Sequence, residues 1–190
     1  TILNSGGTTF NQSVSALTVD LQATNGTILF QGNTAISTLT TNLAGYNLSL
    51  TGGTNTFTNE VIFQNTGTLN LGNATGDTFT FNGGVTEATS GAVTLASTIS
   101  SSDDALTFGA VTLGSNVTID TNSTTTNRAD IVIAVVTGGS NTLTLTTEND
   151  VTGSDITASG NISGVTTLTL ASVGGTATLS GDVDVTTLNV

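Results

Sequence analysis

Thirteen carboxylates, one cation (Arg128) and one tyrosine make up nearly all the titratable chemistry of this 190-residue chain. Asp103-Asp104 is the first place to look for catalysis, because adjacent carboxylates could divide the acid and base roles of glycoside cleavage. That chemistry also calls for cationic or imidazole partners and for aromatic platforms under the sugar. The chain has no His, no Lys and no Trp. Arg128 beside Asp130 could supply a lyase with an arginine base, but a local charge pair in a loop explains the same two residues. Without His or Cys, neither a Ser/His/Asp nor a Cys/His constellation can be assembled. Catalytic and cofactor-binding residues are therefore expected to number none, and the chain is read as a non-enzyme.

Metal chemistry fares little better. Asp182 and Asp184 alternate along a strand-like stretch, which puts both carboxylates on one face. Calcium wants six to eight oxygens, so the plainer reading is an outward, solvated pair; their calcium affinity stays open at this stage. Glu148-Asn149-Asp150 with Ser154-Asp155 forms a second oxygen-rich patch. Its spacing matches neither an EF-hand loop nor the calcium-binding nonapeptide of β-rolls, and it reads as a corner. No metal ligand or cofactor is assigned. A net charge of −12 with no basic patch argues against nucleic acid and anionic membrane surfaces as partners. No run approaches the 18 apolar residues of a membrane span, so membrane insertion is not expected. The lack of Cys removes disulfides.

The elements that must position these groups are strands. Thr, Gly, Asn and Ser contribute 44, 23, 19 and 18 residues, over half the chain. Thr and the β-branched aliphatics suit a pleated surface, while Gly and Asn suit turns. The recurrent local word is two apolar residues around one polar residue: Ile28/Phe30, Leu48/Leu50, Leu69/Leu71, Phe79/Phe81, Val93/Leu95 and others after them. Such period-two words mark short strands with one buried face. Gly32-Asn33, Gly52-Gly53, Gly83-Gly84 and Gly174-Gly175 lie between them and supply corners.

The words repeat as sentences. Gly91-Ala92-Val93-Thr94-Leu95 returns eighteen residues on as Gly109-Ala110-Val111-Thr112-Leu113, and Val165-Thr166-Thr167-Leu168 returns after twenty as Val185-Thr186-Thr187-Leu188. Periodic self-similarity is the signature of a stacked repeat. One such unit cannot offset its own ordering entropy and gains stability only against neighbours. The chain is thus expected to be all-β: a right-handed parallel β-helix (β-solenoid) with turns of about 18–22 residues, two strands and corners to a turn. Nine or ten turns would fill one β-solenoid segment over residues 1–190. An antiparallel β-sandwich shares the strand spacing and is the alternative; the absence of Pro, Trp and Cys speaks against it. Ser100–Asp104 and Thr121–Asn127 read as protruding loops. The strand pattern runs to Val190 without a polar cap, which suggests a piece of a longer repeat protein, or ends that meet partners.

Two further patterns bear on binding. Thr-x-Thr pairs occur at Thr38/Thr40, Thr56/Thr58, Thr78/Thr80, Thr142/Thr144/Thr146 and Thr167/Thr169. Ranks of such pairs on a flat solenoid face resemble the surfaces on which ice-binding proteins order water. By sequence spacing, though, the rank breaks between Thr80 and Thr124, and strand propensity alone accounts for exposed Thr. Asn-x-Ser/Thr triplets start at Asn11, Asn25, Asn47, Asn73, Asn116, Asn122 and Asn161, a number near chance for this composition; they are glycosylation acceptors only in a cell with the machinery.

The phrases at Gly91–Leu95, Leu106–Leu113 and Asn141–Leu145 resemble the strand repeats of filamentous-haemagglutinin-like surface proteins, autotransporter passenger domains and other large bacterial β-strand-repeat proteins. The likeness covers nearly the whole chain as a style of sequence. It implies secretion to the cell surface or extracellular space, and a non-catalytic role as a stalk or matrix element of an adhesin-like protein. The family's secretion domain carries an Asn-Pro-Asn motif, which a chain without Pro lacks. The partners this implies are neighbouring repeats or identical subunits end to end, with host-surface or matrix glycans as candidates. A self-assembling filament or surface-layer subunit is the alternative function, and an ice-binding solenoid a third.

Overall fold

The computed structural model describes residues 1–3, 6–22, 25–87, 89–121, 129–147, 153–171 and 173–190. Every strand pairing in it is parallel, and each joins a strand to its counterpart one turn later in the chain. The protein is a β-solenoid, and antiparallel sheets packed face to face are absent among the described residues. One ladder runs through Ile28, Leu48, Leu69, Val93, Val111, Val136, Ile162 and Val183, each paired with the next. With Thr8 paired above Ile28, this makes eight steps, about 38 Å of stack at ~4.8 Å per step.

Each turn has three strands, where the ten-residue spacing of the sequence suggested two. The first face holds Thr27–Phe30, Asn47–Leu50, Thr68–Leu71 and Ala92–Leu95. The second holds Thr54–Phe57, Thr78–Phe81, Thr98–Ser101, Val117–Asp120 and Thr142–Thr146. The third holds Val61–Phe63, Val85–Glu87 and Ile156–Ala158. The third face escapes a sequence reading because its strands are only three residues long there. Elsewhere one continuous strand, such as Thr34–Thr41 or Leu106–Leu113, bends through a corner and serves two faces without a turn signal between them.

Period-two alternation sends one side chain of each pair inward, and the inward ones stack on their own kind. Phe10, Phe30, Leu50, Leu71, Leu95 and Leu113 form one column; Phe79, Ile99, Ile119, Leu145 and Leu170 form another. The few aromatics are concentrated here: Phe10 and Phe30 stack with ring centroids 4.6 Å apart, and Phe57 and Phe81 at 5.0 Å. Phe63 meets Phe81 edge-on at 6.2 Å. A narrow core of this kind is filled by Val, Ile, Leu and Phe with no need of Trp.

Corners use a second device. The side-chain Oδ1 of Asn33 accepts the backbone N–H of Thr54 one turn on (3.1 Å), and Asn47, Asn116 and Asn161 do the same for Thr68, Thr142 and Asp182. The amide oxygen thereby stands in for a ladder carbonyl where the backbone turns away. Turn length is elastic, as the repeats suggested, and its range is wider than 18–22: Val93 to Val111 spans 18 residues, but Val136 to Ile162 spans 26. Between Leu71 and Thr78 the extra residues loop out at a corner and the flanking registers continue, whereas the last pairing shifts register between Ser163 and Val165. The turn at 72–77 is one such corner, closed by Asp77, whose Oδ2 accepts the N–H groups of Asn73 (2.8 Å) and Ala74 (3.2 Å). The expected loop at Ser100–Asp104 is shorter than foreseen. Ser100 and Ser101 belong to a strand, and the buried Ser101 hydroxyl turns back to donate to the Asp104 carbonyl (2.5 Å). Of the second expected loop, Thr121–Asn127, all but Thr121 lies outside the described residues.

Candidate functional site

Asp103 and Asp104 sit at the corner between Thr98–Ser101 and Leu106–Leu113. Asp103 adopts a left-handed backbone, φ 71°, which Asp tolerates better than most side chains. Partial burial holds the Asp104 carboxyl above its ordinary value, and the neighbouring charges of Asp103 and Glu60 add to the rise. A raised carboxyl is what a general acid needs, but no imidazole or amine stands beside it among the described residues. Arg128 lies outside the described residues. Asp130 is a corner acceptor: its Oδ1 takes the N–H of Asp155 (2.9 Å), and Asp155 repeats the motif on Thr176 (2.8 Å). These two carboxylates therefore perform the same corner service as Asn33 and Asn47.

Asp182 and Asp184 are exposed, as two positions flanking an inward Val183 should be. Asp184 pairs in register with Ser163 and borders a shallow polar groove with Ser140, Gly164 and Thr166. Glu148, Asn149 and Asp150 lie outside the described residues, while Ser154 is buried and accepts the N–H of Ala129 (3.3 Å). Among the described residues no three carboxylates converge in a manner that could hold a metal ion. A groove lined by Ser15, Leu17, Ala35, Ser37, Thr56 and Thr58 among others contains no titratable group.

Two further acids, Asp77 and Glu87, are buried. Asp77 is the turn closure above. Glu87 points into the wall of the coil, where Oε1 accepts the N–H of Ser90 (2.7 Å) and Oε2 that of Gly109 (3.2 Å). Its inward direction was available from the alternation Val85-Thr86-Glu87. Tyr46 is fully buried. Burial pushes its phenol upward; the Thr41 side chain and the Asn42 backbone pull it partly back, and the Asp20 carboxylate adds a smaller upward push.

The Thr-x-Thr pairs divide between faces. Thr38 and Thr40 lie on the third face; Thr78/Thr80, Thr142/Thr144/Thr146 and Thr167/Thr169 lie on the second. The rank of pairs does break after Thr80, where the second member becomes Ser100 and then Asp120, but the column of first members continues. Thr54, Thr78, Thr98, Thr118, Thr144 and Thr169 pair one with the next without interruption. No Thr-x-Thr word marks Thr98 and Thr118, because the residues two positions on are Ser100 and Asp120. Thr124 lies outside the described residues. Of the sequon residues, Asn47, Asn116 and Asn161 are occupied as corner acceptors, and Asn122 lies outside the described residues.

In comparisons with known proteins, no family model, no curated protein and no solved structure matches this chain.

Proposed function

We propose that the chain is a non-catalytic structural segment, a stalk or matrix element, of an extracellular adhesin-like repeat protein on a bacterial surface. The observation that supports this most directly is the continuity of the ladder. Eight successive steps each give the next turn its hydrogen-bond partners and its apolar lid, so stiffness is distributed along the whole stack. Asp77, Asp130 and Asp155 are spent on corners and turn closures, and the outward strand positions are rich in hydroxyl and amide side chains. Such a surface stays hydrated with few charges, and a backbone locked in ladders offers proteases few openings.

Surface labelling tests the reading. An antibody to this segment should decorate intact producing cells, and brief protease treatment of those cells should remove the longer protein that bears it. Labelling only after lysis would refute an extracellular role. Concentration-dependent fibres from the purified chain would instead favour a self-assembling filament subunit.

A further inference from the structure

We propose that the second face of the coil adsorbs to ice, whose uncharged surface presents a two-dimensional repeat, as does this face with Asp120 as its one acid. The first rank is the unbroken column Thr54, Thr78, Thr98, Thr118, Thr144 and Thr169. A second rank, two residues along each strand, is Thr56, Thr80, Ser100, Asp120, Thr146 and Ala171. Thr142, Thr167 and Thr187 begin a third rank on the other side. Spacing across the ranks is the ladder distance, ~4.8 Å, and spacing along a strand is two residues, ~6.7 Å. Both lengths are close to oxygen repeats on the surfaces of hexagonal ice. No register shift interrupts the pairings from Thr54 to Ala171.

Three physical points favour ordered water over other occupants. Each threonine offers a hydroxyl oxygen that can accept from the lattice, Thr78 while donating to the Gly53 carbonyl (3.3 Å), and a methyl that leaves adjacent water bonded to water. The strands beneath are held by ladders on both sides and by a stacked core, so the array is already in place and little ordering remains to oppose adsorption. Charge is also kept away. The chain carries −12, yet Asp120 is the one acid in residues 54–57, 78–81, 98–101, 117–120, 142–146 and 167–171. The first face lacks this order: its outward column reads Thr9, Leu29, Ser49, Asn70, Thr94, Thr112. Its Thr112 is therefore an internal control.

The proposal does not depend on the stalk reading and is tested separately, on the purified chain, by ice-affinity partitioning and by the shape of single ice crystals. The chain should enrich in the ice fraction and facet growing crystals. Thr118→Lys and Thr144→Lys should each lose both effects while keeping the parent circular dichroism, Thr112→Lys should keep both, and Asp120→Thr should increase enrichment. Exclusion of the parent chain from ice would overturn the proposal. So would equal loss on Thr112→Lys, or retention on microcrystalline cellulose without any effect on ice.

Discussion

Asn55 is the sharpest probe of how the coil tolerates polarity inside. It occupies the inward column that continues through Phe79 and Ile99, and it is fully buried. Its Oδ1 accepts the hydroxyl of Thr34 (3.0 Å), itself buried, and its Nδ2 donates to the carbonyls of Gly52 (2.6 Å) and Thr78 (3.3 Å). Asn55→Leu keeps the volume but orphans the Thr34 hydroxyl and the Gly52 carbonyl, at about 1–3 kcal/mol each. Burying the leucine returns roughly 1–2 kcal/mol. The net expectation is a loss of about 2–3 kcal/mol in urea unfolding. Thr34→Val combined with Asn55→Leu removes the orphaned hydroxyl together with its lost partner and should recover about 1–2 kcal/mol of that loss. A double-mutant cycle therefore reads the pair directly. If Asn55→Leu lay within about 0.5 kcal/mol of the parent, or the double variant were no more stable than the single, the inward polar network would not be what holds this corner.

Other perturbations follow from the same geometry. Phe81→Ala removes a ring that touches Phe57, Phe63 and Phe79 and should cost about 3–5 kcal/mol by denaturant titration. Gly52→Ala drives a Cβ into the backbone oxygen of Gly32 one turn above and should lower the melting temperature clearly. Gly53→Ala, whose nearest neighbour is the Asn33 Oδ1 at 3.8 Å, should not. Tyr46 is the only tyrosine in a chain without tryptophan, so ultraviolet absorbance against pH reports it alone; ionisation should begin above the ordinary value of 10.0. Because its folded value is raised, the stability it carries is present below the unfolded value and is lost as pH climbs toward the folded one, a dependence Tyr46→Phe should abolish. Asp104 is likewise raised, so the protonated acid favours the fold. That contribution is present at acid pH and fades as pH rises from the usual carboxylate value through the folded one. Asp104→Asn should flatten that part of the stability profile.

Much of this protein was written in its local pattern. Period-two words with Gly and Asn between them specify short strands and sharp corners, and near-copies about twenty residues apart specify a stack, because both signals come from neighbours in the chain. The lack of Trp and the few Phe already implied a thin core. What the local pattern could not reveal depends on which turn lies over which. The third face was hidden in strands such as Thr34–Thr41 that bend without a turn residue. The wider range of turn lengths was hidden too, since residues looped out at a corner, as between Leu71 and Thr78, shift the sequence count while the flanking registers continue. The buried Glu87 is satisfied by Ser90 on its own corner and by Gly109 a turn away, a partnership with no sequence spacing to announce it. The threonine column is the clearest case. Reading Thr-x-Thr words breaks it after Thr80, because Thr98 and Thr118 are followed two residues on by Ser100 and Asp120. Hydrogen-bonded register measures only strand against strand, and there Thr98 and Thr118 fall directly into line.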